Sequence, residues 1–167
     1  MNFFWYSMMF IVMVINGMPA KASDKAEYNY ADKKFNPSYS DEARTKLADG
    51  VINGPWNTCV GWRETKPCPI TFTFPQEKKF SKVKIFALGI DSGGGIGTPQ
   101  YIRVYSGDKV EQSKLIGEIE LKPQKKGWIE IPIKSGILSN LFTIDMGDVL
   151  NSDKGFTFIM ISEIVFE

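Results

Sequence analysis

The 167-residue chain contains no histidine. That absence removes Ser-His-Asp and Cys-His nucleophilic mechanisms, and with them zinc hydrolysis built on imidazole ligands. Cysteine is nearly missing too. Cys59 and Cys68 are the only two, no Cys-x-x-Cys occurs, and a zinc or redox centre has no ligand set to draw on. Charge of one sign is also lacking: the formal net charge is +1. Without Lys21 the remaining 19 Lys and Arg balance the 19 Asp and Glu. Such a chain has no electrostatic hold on nucleic acid or on an anionic membrane surface. A two-carboxylate glycosidase stays formally open, with Glu64, Asp91, Asp145 and Asp148 as candidate acids. All four fall at presumed loops or strand ends, and Asp145-Met-Gly-Asp148 reads more naturally as a turn.

Long hydrophobic runs are scarce. One covers residues 3–15 and is followed by Asn16-Gly17 and by Ala20-Lys21-Ala22. It is shorter than the roughly 20 apolar residues of a membrane-spanning helix. The run, its helix-breaking exit and the Ala-x-Ala site predict a secretory signal over residues 1–22, although the n-region is only Met1-Asn2 and its sole positive charge is the amino terminus. No cysteine follows the run to carry a lipid. The expected location is extracellular or periplasmic. In an exported protein an even pair of cysteines predicts a Cys59–Cys68 disulfide, with two reduced thiols as the alternative. Closing a loop of that size would stabilise by roughly 2–3 kcal/mol.

What is present is apolar and aromatic. A hydrophobic content of 43%, with 13% aromatics, suffices for a core and excludes disorder over most of the length. Residues 23–45 read as a polar lead-in that either docks its aromatics on the domain or serves as a linker. From residue 46 to 167 the pattern is that of strands. Ile70–Phe74, Tyr101–Tyr105, Leu115–Leu121 and Trp128–Ile133 alternate with period two. Val83–Leu88 is a mixed strand, Leu141–Ile144 is shorter, and Gly155–Phe166 is a long apolar run suited to a central strand. Proline- and glycine-containing turns separate them. Only Asp41–Leu47 looks mildly helical. About eight short strands predict an all-β antiparallel sandwich or jelly roll in a single domain.

Lys46-Leu-Ala-Asp-Gly50, Trp56, Val60-Gly-Trp62, Gly95-Ile-Gly-Thr-Pro99 entering Tyr101–Tyr105, and Ile161-Ser-Glu-Ile-Val165 come in an order that resembles the galactose-binding-like sandwich of discoidin (coagulation factor C-type) domains and related carbohydrate-binding modules. The likeness covers Asp41 to Glu167. It implies a secreted, non-catalytic module that binds glycan through loops at one end. It also implies a structural calcium held by Asp49 and Glu163 with neighbouring carbonyls. Calcium takes six to eight oxygens, and a carboxylate within an apolar run is costly unless paired. The plainer alternative gives Asp49 an Asx turn and Glu163 a lysine or solvent. The chain departs from the family where sugar contacts are read, because the usual histidine is absent.

Candidate ligand contacts follow from what a sugar needs: an aromatic face and planar polar groups. Trp56 sits in a loop with Gly54 and Pro55, and packing over the sandwich end is its alternative. Arg63 and Glu64 end a strand, where they present hydrogen bonds or form a solvated pair. The loop Asp91–Thr98 is neither a phosphate loop nor Gly-x-Gly-x-x-Gly, since Thr98 stands where the last glycine belongs. It reads as a binding rim with Asp91 as acceptor, or as a flexible crossover, and Ile96 at its tip would be an apolar spike for a membrane. Trp62 reads as core. The partner classes that remain are a glycan or, as the alternative function, a surface protein in an extracellular assembly.

Overall fold

A computed structural model of the chain describes residues 25–31, 39–52, 54–63, 66–151 and 154–167. The signal segment 1–22 lies outside the described residues, as does Glu64. Among the described residues no helix is long and apolar enough to cross a membrane.

Among the described residues nine strands form two antiparallel sheets. In chain order they are β1 (Glu27–Tyr30), β2 (Val60–Arg63), β3 (Ile70–Lys78), β4 (Lys82–Ala87), β5 (Tyr101–Ser106), β6 (Lys114–Glu120), β7 (Gly127–Pro132), β8 (Ser139–Met146) and β9 (Phe158–Phe166). One sheet has the order β1-β3-β8-β5-β6 and the other β2-β9-β4-β7. The period-two alternation puts Ile70, Phe72 and Phe74 of β3 inside, with Thr71 and Thr73 outside. Ile102 and Val104 of β5 point the same way, as do Ile129 and Ile131 of β7. Phe74, Phe80, Phe142 and Phe166 close one end of the core with ring centroids 5.0–5.9 Å apart. The predicted antiparallel sandwich is therefore the fold, and β9 is the expected central strand, flanked by β2 and β4.

Of the two readings of the lead-in, the structure shows the docked one: Glu27–Tyr30 is a strand paired to β3, and Tyr28 and Tyr30 are buried in the core. Two expectations need correction. Asp41–Leu47 forms no α-helix; a single 3-10 turn, Lys46–Ala48, plugs Leu47 into the core instead. The two cysteines are buried and form no disulfide. Cys59 packs with Leu88, Ile96 and Met160, whereas Cys68 belongs to the main core. Strand β2 runs between them, and the fold delivers them to separate apolar clusters.

Asp41 joins these pieces. Its Oδ2 accepts the hydroxyls of Tyr28 and Tyr30, the latter at 2.8 Å. Its Oδ1 accepts the N–H groups of Thr45 at 3.0 Å and Lys46 at 3.3 Å. Burial first, and then Asp41, pushes both phenols far above the ordinary tyrosine value, so they remain donors. Asp41→Ala strands four donors, two of them in the core, and is expected to lower the unfolding free energy by about 3 kcal/mol in urea titration, with Asp41→Asn in between.

Candidate functional site

The site assembles where β2 ends and β9 begins. Arg63 pairs in register with Phe158, and its guanidinium carbon lies 5.4 Å over the Phe158 ring. Tyr39 packs edge-on against Phe158 at 5.9 Å and against Trp56 at 6.3 Å. Trp56 opens a 3-10 turn, Trp56–Thr58, set by Pro55 and closed by the N–H of Cys59 on the Trp56 carbonyl. The turn projects the indole outward, and Trp56 is 42% exposed.

The glycine-rich loop forms the opposite wall. Gly93, Gly94 and Gly95 have φ of +74°, +62° and +74°, a left-handed run that side chains resist. A Cβ on Gly94 would sit 2.7 Å from Trp56 Cη2, so the bare backbone is what lets the indole lie on the loop. The loop is tied down. The N–H groups of Thr157 and Phe158 donate to the Gly95 carbonyl at 2.7 and 3.1 Å, and Gly97 donates to the Phe158 carbonyl at 2.8 Å. Ile96 is 2% exposed, so it anchors the loop from inside and is no membrane spike.

The structure thus brings Trp56, Arg63 and the glycines of the loop to one rim. Asp91 serves a different purpose: its Oδ1 accepts the Lys126 N–H at 2.8 Å and pins the loop to the β6–β7 connection. Tyr39 and Phe158, the rings that join Trp56 to Arg63, escaped the sequence reading. Phe158 was hidden in an apolar run, and Tyr39 in an aperiodic segment. Trp62 is fully buried, as expected. Of the candidate acids, Asp145 is buried and paired with Lys66 at 3.0 Å, and Asp148 is exposed.

Asp49 and Glu163 meet at the turn before the rim. Asp49 Oδ1 accepts the Val51 N–H at 2.8 Å, an Asx turn, and Glu163 Oε2 accepts the Gly50 N–H at 2.9 Å. Burial pushes the Glu163 carboxyl above its usual value; the Gly50 amide pulls it down and the Asp49 charge raises it again. Two carboxylates on one turn fit the acidic part of a calcium shell, and backbone carbonyls would have to supply the rest. Among the described residues no three His, Cys, Asp or Glu side chains gather as a metal site.

A family model described as "Anaphase-promoting complex, subunit 10 (APC10)" matches residues 45–161. No curated protein matches the chain. Solved structures of carbohydrate-binding modules share the fold. One, "CpGH89CBM32-6 produced by Clostridium perfringens", is 16% identical over 87% of this chain and 95% of its own, with a TM-score of 0.58. A GH31 CBM32-2 domain bound to GalNAc is 15% identical over 85% and 96%, with a TM-score of 0.60. The family 32 module of C. perfringens NanJ in complex with galactose is 15% identical over 85% and 91%, with a TM-score of 0.55. At these identities the likeness concerns the fold.

The contact between Trp56 and Gly94 is testable. Gly94→Ala is expected to displace the indole and shift tryptophan fluorescence. Gly93→Ala is the control, because its φ is similarly positive but nothing lies within 4 Å of its added Cβ. Both should cost roughly 1–2 kcal/mol of backbone strain, and only Gly94→Ala should change the emission.

Proposed function

The chain belongs to the anaphase-promoting complex subunit 10 family and has the galactose-binding-like sandwich fold, and from this we propose that it is an exported, non-catalytic module that binds carbohydrate at the rim formed by Trp56, Tyr39, Arg63 and the Gly93–Gly95 loop. The observation that carries the reading is the exposed indole. Trp56 is fixed by Tyr39 on one side and by the loop on the other, and it offers an apolar face on the rim whose aromatic chain, through Tyr39 and Phe158, ends at the Arg63 guanidinium. A sugar's C–H surface stacks on such a face while planar donors take its hydroxyls. Preorganisation matters because a ring already held in place costs less entropy on binding. Export rests on the apolar run and Ala-x-Ala site of residues 1–22. The neighbours described as bound to GalNAc or galactose suggest those sugars as first probes. Calorimetric titration with galactose and N-acetylgalactosamine, together with a glycan array, should detect binding by the wild type at millimolar concentration or below. Trp56→Ala should weaken it tenfold or more while leaving the melting temperature within a few degrees. A wild type that binds no sugar on the array or at millimolar concentration overturns the reading.

A second reading has its own support. Val51 and Ile52 are exposed on the same loop as Trp56, and the family model is described as a subunit of a complex. An apolar row of this kind suits a protein partner in a surface assembly. Capture of one partner that free sugar does not displace, and that Ile52→Asp abolishes, would favour it.

Calcium belongs to the proposal as a structural ion at Asp49 and Glu163. Without a cation, the raised pKa makes Glu163 contribute stability below its unfolded pKa, and that contribution is lost as pH rises through the folded value. A bound cation favours the ionised form and restores stability at neutral pH. Calcium added to metal-free protein at pH 7 is therefore expected to raise the melting temperature by several degrees, and Glu163→Gln to remove the response. An unchanged wild-type melting temperature overturns the calcium site.

A further inference from the structure

Strand β7 is an outer strand of the four-stranded sheet, and the phase of its hydrogen bonds fixes which backbone groups stay open. Lys82 exchanges two bonds of 2.9 Å with Glu167, just past β9. On the other side, Ser81 accepts the Ile133 N–H at 2.9 Å. Bonding direction alternates along a strand. Val83, Ile85 and Ala87 therefore bond their β7 partners Ile131, Ile129 and Gly127. Trp128 and Glu130 turn their N–H and C=O groups away from β4, and among the described residues nothing takes them. The edge closes only beyond Pro132, where the Lys134 N–H donates to the Ile116 carbonyl of β6 at 2.8 Å.

Sheet edges are usually shortened, bulged or charged against stray pairing. Strands β1 and β2 have four residues each, and β6 is bulged. Strand β7 pairs with β4 over six residues without a register shift, so its protection rests on charge. Lys122, Lys125 and Lys126 lie exposed on the turn before it, and Lys134 is exposed past its far end. Among the described residues none of the four has a carboxylate at ion-pair distance. Glu130 is held by Lys82 at 3.2 Å, and Glu167 by Lys82 at 3.3 Å and Lys84 at 3.2 Å. Two carboxylates remain nearby: Asp91, whose Oδ1 accepts the Lys126 N–H, and Glu120, in register with Tyr101 on the other sheet. Four lysines against these two leave the edge positive at both ends. Between those ends stands Trp128, 37% exposed. Phe86 braces it edge-on at 5.3 Å, and the Lys84 ammonium lies 4.9 Å over its ring.

An extended peptide supplies both N–H and C=O groups at the spacing two open residues need. A second copy of the chain is the wrong peptide. Pairing β7 with β7 in either direction sets lysines beside lysines. Acidic residues flanking the added strand turn that repulsion into attraction.

We propose that the open edge of β7 docks an extended, acid-flanked peptide segment of a partner protein as a fifth strand of this sheet, with an apolar side chain packed on Trp128. The surface uses none of the rim's residues and stands whether or not the rim binds sugar.

Hydrogen exchange on the ¹⁵N-labelled protein tests the edge first. Alone, the Trp128 and Glu130 amides should exchange at least a hundredfold faster than those of Ile129 and Ile131. Equal protection overturns the open edge. The probes are three capped octapeptides: a Thr-Val-Thr-Val core between pairs of Asp, the same core between pairs of Lys, and Pro-Val-Pro-Val between pairs of Asp. At millimolar concentration the first should shift and protect the Trp128 and Glu130 amides, less so at high salt. The Lys-flanked peptide should bind at least tenfold more weakly, and the proline peptide should give no protection. Lys125→Glu with Lys126→Glu, both exposed, should weaken the first peptide tenfold or more. The melting temperature should stay within a few degrees, and any sugar response of the rim within twofold. Trp128→Thr keeps a strand-forming residue and should weaken the peptide severalfold. An acid-flanked peptide that leaves the β7 amides still, or that binds no better than its lysine counterpart, overturns the proposal. So does one that moves the Val51 and Ile52 amides instead.

Discussion

Strand β9 pairs with β2 over Phe158–Ile161 and with β4 over much of its remaining length, and its apolar side closes the sandwich through Ile159, Ile161 and Ile164. Each proposed functional feature apart from the β7 edge is fastened to it. Its first residue carries the ring that Tyr39 and Arg63 pack on. The segment just before it receives the glycine-rich loop through Gly95 and Gly97. Its Glu163 reaches the Asp49-Gly50 turn, and Phe166 completes the phenylalanine cluster at the far end. Unpairing β9 would cost the core and the rim together, so the rim inherits the rigidity of the most buried strand rather than the mobility usual for loops.

Three buried carboxylates are accommodated in three ways. Asp41 has its oxygens satisfied by four hydrogen-bond donors from its own neighbourhood, which binds the N-terminal strand to the turn that plugs the core. Asp145, on the outer face of a sheet where charge would ordinarily be solvated, is covered by Lys66 reaching from the β2–β3 connection. Glu163 has a main-chain amide and a like-charged neighbour, the least complete compensation of the three, and its pKa rises accordingly. A buried anion with incomplete compensation is costly. That is a physical reason, separate from any resemblance, to look for a cation there and not at Asp41 or Asp145.

The strands were legible because alternation is a property of the chain itself: Ile70, Phe72 and Phe74 could face only one way. Strand β1 was not, because Glu-Tyr-Asn-Tyr is too short for its period to stand out, and the partner that lets its tyrosine hydroxyls be buried, Asp41, lies eleven and thirteen residues away. The disulfide failed for a related reason. Spacing gives the length of chain between Cys59 and Cys68 but not its direction, and an intervening strand carries them apart. At the rim, Trp56, Arg63 and the glycine loop could each be picked out by chemistry. Their meeting could not, since Tyr39 and Phe158 link them through long-range packing. Asp91 has the right chemistry for a ligand contact, yet its Oδ1 is engaged in holding the loop.

The glycine loop shows why a binding rim can look like a flexible crossover in sequence and be neither floppy nor featureless in space. Three successive left-handed residues are tolerated without strain only by glycine, and here they bring bare backbone against an indole edge. Glycine's conformational freedom is removed again by hydrogen bonds to the start of β9 and by Ile96 buried at the tip. The ordering cost is met during folding, by contacts that exist with or without a ligand. An aromatic surface held in this way discriminates by shape, because neither Trp56 nor the loop can shift to suit a poor fit without breaking contacts to the central strand.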